Sequence, residues 1–178
     1  MNKLFLILIT STILLYSCNN DSMKQSQEET AVTIENITEL ENELFGGEMA
    51  TPDLAKAKQL VDMYIAYANQ HPKSEESADL LFKAADISMN LGSAQNTIAL
   101  FNRILMEYPD FENRSTVMFL KGFVYEDQVK DYEKAGRCYM EFLDNYPESD
   151  FADDAKVSLD NLGKSPEELI KEFESKNQ

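Results

Sequence analysis

The sequence predicts an all-α fold, a stack of antiparallel helix hairpins, on three observations. Apolar residues recur at spacings of three and four, the signature of one helix face, and no segment alternates with period two over the length of a strand. Chain breakers are scarce, with 6 Gly and 5 Pro among 178 residues, and several fall at the ends of periodic segments, where they stop helices. The third observation is internal repetition. Tyr64-Ile-Ala-Tyr67-Ala68-Asn-Gln-His71-Pro72, Phe101-Asn-Arg-Ile104-Leu105-Met-Glu-Tyr108-Pro109 and Tyr139-Met-Glu-Phe142-Leu143-Asp-Asn-Tyr146-Pro147 share one design. Each has an aromatic residue eight positions before a proline, apolar residues five and four before it, and a ring just before it. The prolines are 37 and 38 residues apart.

Helix boundaries follow from caps. Asn90-Leu91-Gly92 and Asn161-Leu162-Gly163 each end a helix with a glycine suited to the left-handed cap. Ser74 and Ser149, two residues after their prolines, are candidate N-caps. Ser165-Pro166-Glu167-Glu168 places a capping Ser before Pro and a Glu three residues on, a capping box, and Thr51-Pro52 opens a helix in the same way. The expected helices cover 35–45, 52–70, 75–91, 94–107, 113–129, 132–145, 150–161 and 166–175. One residue near Val129-Lys130 reads as inserted, and the last unit is a turn shorter than the others. The final helix, Glu167 to Phe173, is expected to cover the last open face.

Gly122 with Tyr125, then Ala135 with Tyr139, then Pro147, in that order, resembles the tetratricopeptide repeat. The preceding unit matches less fully, with Ala85 for the glycine, Ser88 for the aromatic and Thr97 for the alanine before Phe101 and Pro109. The resemblance covers about residues 52–175. It implies a superhelix of about three hairpin repeats, with small residues at Gly122 and Ala135 where two helices touch and a concave binding surface built from first helices. The long period and the run from Tyr146 to Ala155 are similar to repeats of cell-envelope proteins. These include the lipoprotein of the outer-membrane assembly machine and the Tol-Pal coordinating protein.

The N-terminus sets the expected location. A positive start at Met1 to Lys3 precedes an apolar run, Leu4 to Tyr16, that is too short to span a bilayer and fits a secretory leader. Leu15-Tyr16-Ser17-Cys18 resembles the lipobox of bacterial lipoproteins, although Tyr16 is larger than the residue usual there. The resemblance implies cleavage before Cys18, acylation of its thiol, and, because Asn19 rather than Asp follows, a place on the periplasmic side of the outer membrane. The expected organisation is a signal peptide at 1–17, a flexible polar tether at 18–33, and the repeat domain at 34–176.

Composition narrows the function. The net charge is −16, and no basic patch interrupts it, which argues against nucleic acid as a partner. His71 is the single histidine and stands where sister units have Tyr108 and Tyr146, so it reads as a packing ring rather than a catalytic base. Cys138 falls in a periodic apolar segment and reads as a buried thiol. No Cys/His spacing suits a metal, and Gly46-Gly47 lacks the Lys-Ser/Thr of a phosphate loop. Asp153-Asp154 and Glu167-Glu168 are adjacent carboxylates that point to different helix faces. The reading is a non-catalytic interaction scaffold that needs no cofactor or metal. The alternative is a lipoprotein that captures a nutrient such as an oligosaccharide, but carbohydrate sites favour Trp and the chain has none.

The expected groove consists of Asp79, Phe82, Asp86 and Met89 in one unit, Thr116, Phe119, Phe123 and Glu126 in the next, and Asp150, Asp153, Val157 and Asp160 in the last. Each set follows spacings of three and four and forms one stripe, on which Phe82, Phe119 and Phe123 either face the groove as anchors or pack between units. The stripes hold rings and carboxylates without Lys or Arg, so the expected partner is a protein or peptide segment with apolar residues and net positive charge.

Overall fold

The computed structural model describes residues 31–46 and 53–176. The leader, Cys18, most of the tether and the Thr51-Pro52 start lie outside the described residues. Eight α-helices follow one another: α1 Ile34–Phe45, α2 Leu54–Gln70, α3 Glu75–Asn90, α4 Ala94–Glu107, α5 Arg114–Val124, α6 Tyr132–Asn145, α7 Ala152–Asn161 and α8 Pro166–Lys176. A π-turn, Tyr125–Val129, joins the end of α5. No strand occurs among the described residues. Successive helices from α1 to α7 pack against each other in chain order, the contact pattern of stacked hairpins.

The caps explain where helices begin and end. Thr33 and Asp53 accept from backbone amides at the start of α1 and α2, and Asp131 does so for α6. Ser165 and Glu168 form a reciprocal capping box: the Glu168 amide donates to Ser165 Oγ at 3.2 Å, and the Ser165 amide donates to the Glu168 carboxylate at 2.7 Å. Gly92 and Gly163 take φ of 70° and 76°, the left-handed conformation that stops α3 and α7. Ser74 stands at the N-cap of α3 without a side-chain cap bond. Ser149 is not the N-cap of α7: that position belongs to Phe151, whose amide donates to Ser149 Oγ at 3.4 Å. The helix expected over 113–129 changes to π geometry for its last five residues. The extra residue implied by the step from 37 to 38 is absorbed there, and Lys130 then turns left-handed at φ 60° to admit α6.

Tyr64, Phe101 and Tyr139, the aromatics eight residues before each proline, are all fully buried. The first two join a core cluster drawn from α1 to α5 and its π-turn junction, with Leu60, Leu81, Ile104, Val117 and Val124. Tyr139 centres a second cluster with Met118, Ala135, Phe142 and Ala155. Cys138 is buried among these helices, and burial pushes its thiol pKa up. His71 caps α2 and is exposed, its ring tilted over Tyr67 at 4.4 Å, whereas Tyr108 at the sister position is buried.

The C-terminus departs from expectation. Helix α8 does not seal the last face, because Ile170 and Phe173 are 59% and 71% exposed and Val157 of α7 is 58% exposed. Lys164, just before the helix, pairs with Glu172 at 2.9 Å, and Leu169 lines the hollow beside α7.

Candidate binding face

The fold sorts the expected groove residues into two groups. Phe82 packs against the first core cluster and meets Phe111 edge-on, with ring centroids 6.0 Å apart. Phe119 stacks on Phe151 at 4.9 Å and also touches the Tyr139 and Phe142 rings. In each case the first-helix ring receives the ring that opens the next unit. Phe82 and Phe119 are therefore joints between units, not open anchors, and Met89 is likewise half-buried against the core. Periodicity placed these residues on one stripe, but it could not show that Phe111 and Phe151 would cover them. The available signal was that both lie shortly after a proline, Pro109 and Pro147.

Asp79, Asp86, Asp150, Asp153 and Asp160 are exposed, as are Phe123, at 40%, and Val157. Thr116 is half-buried. Asp153 occupies the register of Phe82 and Phe119, and its side chain is 94% exposed. At this position the chain carries a charge, paired with Lys156 at 3.0 Å, in place of a ring.

Two hydroxyl–carboxylate bonds stiffen the face from beneath. Tyr139 donates to Glu126 at 2.7 Å, so Glu126 is committed to structure as well as to the stripe. Tyr64 donates to Glu41 at 2.6 Å, and Lys83 donates to the same oxygen at 2.9 Å. Burial alone would raise the Glu41 pKa, but the bonds from Tyr64 and Lys83 outweigh it and hold the carboxyl below its usual range. Burial, and then the neighbouring carboxylate, raises the pKa of both tyrosines. The Glu41–Lys83 link joins residues 42 positions apart and follows no repeat spacing, so periodicity does not reveal it.

Two hollows flank the exposed stripe. One, of about 430 Å³, lies between α1 and α3 and is lined by Glu41, Phe45, Tyr64, Lys83, Asp86 and Ile87, with Asn42 and Gly46. The other, of about 330 Å³, brings Phe123, Glu126 and Tyr132 beside Ser158, Lys164 and Leu169. Among the described residues no group of three or more His, Cys, Asp or Glu could hold a metal ion, and no helix is long and apolar enough to cross a membrane.

The repeat elements meet as the resemblance implied. A Cβ on Gly122 would lie 2.8 Å from the Tyr139 ring, and Ala135 is fully buried. Tyr125, half-buried, packs against the same cluster, while Pro72, Pro109 and Pro147 follow the ends of α2, α4 and α6. No curated protein matches the chain. Residues 116–149 match the tetratricopeptide repeat family, so α5, the π-turn and α6 form a tetratricopeptide repeat within an all-α stack of like hairpins.

Proposed function

We propose that this chain is a non-catalytic scaffold for protein–protein interaction, held at the bacterial envelope by a lipid on Cys18. Its exposed first-helix stripe receives an apolar, positively charged segment of a partner protein. Tetratricopeptide repeats mediate protein–protein interactions as a class, which supports the scaffold role. The observation that carries the partner's chemistry is the exposed stripe itself. It presents Asp79, Asp86 and the Phe123 ring, and contains no Lys or Arg. Carboxylates at a rim steer a cationic segment, and a ring gives it an anchor. The lipobox-like Leu15-Tyr16-Ser17-Cys18 and the Asn19 that follows support anchoring at the outer membrane, facing the periplasm, with a role in envelope assembly.

The test is crosslinking in intact cells followed by mass spectrometry of captured proteins, for the parent, Phe123→Ala and Asp79→Lys. Asp79 is exposed and Phe123 is 40% exposed, so the thermal melt of each variant is measured alongside and capture is scored at a temperature where all three proteins are folded. Loss of the same captured protein in both variants supports the stripe; unchanged capture in both overturns it. Separately, Cys18→Ala should move the protein from the membrane fraction to the soluble fraction, and the parent's mature N-terminus should carry acyl chains. An unmodified N-terminus at another residue overturns the anchor.

A further inference from the structure

We propose that the hollow between α1 and α3 is a receptor for one cationic side chain, arginine or lysine, of the partner segment. This deepens the stripe reading and rests on it, because Asp86 belongs to both.

The inner part of the hollow already displays the chemistry. Lys83 Nζ stands 6.0 Å above the Tyr64 ring centroid and bonds Glu41 at 2.9 Å, so an ammonium is held between a ring face and a carboxylate. The outer part repeats two of these ingredients without the third. Phe45 presents a ring that is 64% exposed, and Asp86 presents an exposed carboxylate whose hydrogen bond comes from the neutral Asn90 amide at 3.3 Å. Ile87 supplies apolar wall for an aliphatic stem. The C-terminal end of α1 also lines the hollow through Asn42 and Gly46, and its last turn carries no basic residue. A helix C-terminus bears partial negative charge, and no cation of its own offsets it here. Among the described residues Lys83 is the single cation of the lining, and it is already paired. A volume of about 430 Å³ is ample for one guanidinium with its stem.

The probe is n-propylguanidinium, a guanidinium on a three-carbon stem, with n-propylurea as its uncharged isostere. Both are titrated into the ¹⁵N-labelled protein and followed by backbone amide shifts. Shifts should concentrate at Asn42, Phe45, Gly46, Asp86 and Ile87, saturate together, and be absent with the urea. Phe45→Ala and Asp86→Asn should each weaken the interaction by at least threefold, and the exposure of both side chains keeps the fold intact. Shifts scattered over the acidic surface and alike in parent and variants would show simple ion attraction and overturn the site. Partner capture in cells separates this proposal from the previous one. Capture that survives Phe45→Ala and Asp86→Asn but is lost with Phe123→Ala and Asp79→Lys overturns the receptor and leaves the stripe standing. Capture lost in all four variants supports both.

Discussion

A methyl group at Gly122 is the sharpest probe of this packing. The added carbon would lie 2.8 and 2.9 Å from two ring carbons of Tyr139 and 3.3 Å from Cys138 Cβ. The first two distances are shorter than van der Waals contact, so one partner must move. Tyr139 is fully buried, touches Phe119, and is pinned at its hydroxyl by Glu126. Moving the ring therefore strains the second core cluster and stretches a bond to a carboxylate. Overpacking of this kind costs about 1–3 kcal/mol. Against it stands the helix preference of Ala over Gly, about 1 kcal/mol. The balance for Gly122→Ala is a loss of up to about 2 kcal/mol, which at that upper end lowers the melting temperature by roughly 4–8 °C for a domain of this size. Gly136 is the internal control. Its added carbon would meet the Leu162 methyl at 3.2 Å, the mobile end of a half-buried side chain, so Gly136→Ala should be neutral or slightly stabilising. Thermal melts and urea titrations of both variants, with Gly122→Ala repeated in a Tyr139→Leu background, decide the matter. The penalty should shrink when the ring is gone. A Gly122→Ala protein as stable as Gly136→Ala, or a penalty unchanged by removing the ring, refutes the close approach.

Two further outcomes follow from the same packing. Phe119 is half-buried against three rings, so Phe119→Ala should lower stability measurably, by less than the ~3–5 kcal/mol of a fully buried ring, and a melt equal to the parent's would return Phe119 to the groove. Tyr64 and Tyr139 have raised pKa values in the fold, so the stability they contribute is fully present below the unfolded value of about 10 and is lost as pH rises above it. Urea unfolding at pH 9 and 11 should show a fall in stability that is smaller when both residues are Phe; an equal fall in the double variant refutes the assignment.

Most of the fold was legible because each helix end carries its own chemistry. Gly92 and Gly163 marked left-handed caps, Ser165 and Glu168 marked a capping box, and the change in proline spacing marked the residue that became the π-turn. These are local effects, decided within a few residues. The binding face was less legible because exposure is a tertiary property. A stripe at spacings of three and four shows which residues point together, not whether another unit covers them, and Phe111 and Phe151 cover Phe82 and Phe119. Helix α8 misled for the same reason. Its apolar spacing is real, yet Leu169 lines the cleft while Ile170 remains exposed. The hollow at α1 had no sequence signal, since Glu41 and Lys83 are 42 residues apart and follow no repeat.

The apparent decay of the middle unit has a physical reading. The outer pairs each bury a tyrosine whose hydroxyl meets a carboxylate, Tyr64 with Glu41 and Tyr139 with Glu126. Between them Phe101 has no hydroxyl, and the register of α3 against α5 puts Met89 where Glu126 stands. The middle hairpin, α3 with α4, is packed by α2 on one side and α5 on the other. Met89 is half-buried against the core, so a carboxylate there would lose part of its water, and one tyrosine hydroxyl would offset only part of that loss. Glu41 and Glu126 escape that cost because each borders a hollow, the first between α1 and α3 and the second beside α7 and α8. Access to water at the two ends of the stack is what allows ionised groups inside the repeat frame. It also leaves those carboxylates beside the two hollows that a cationic partner could reach.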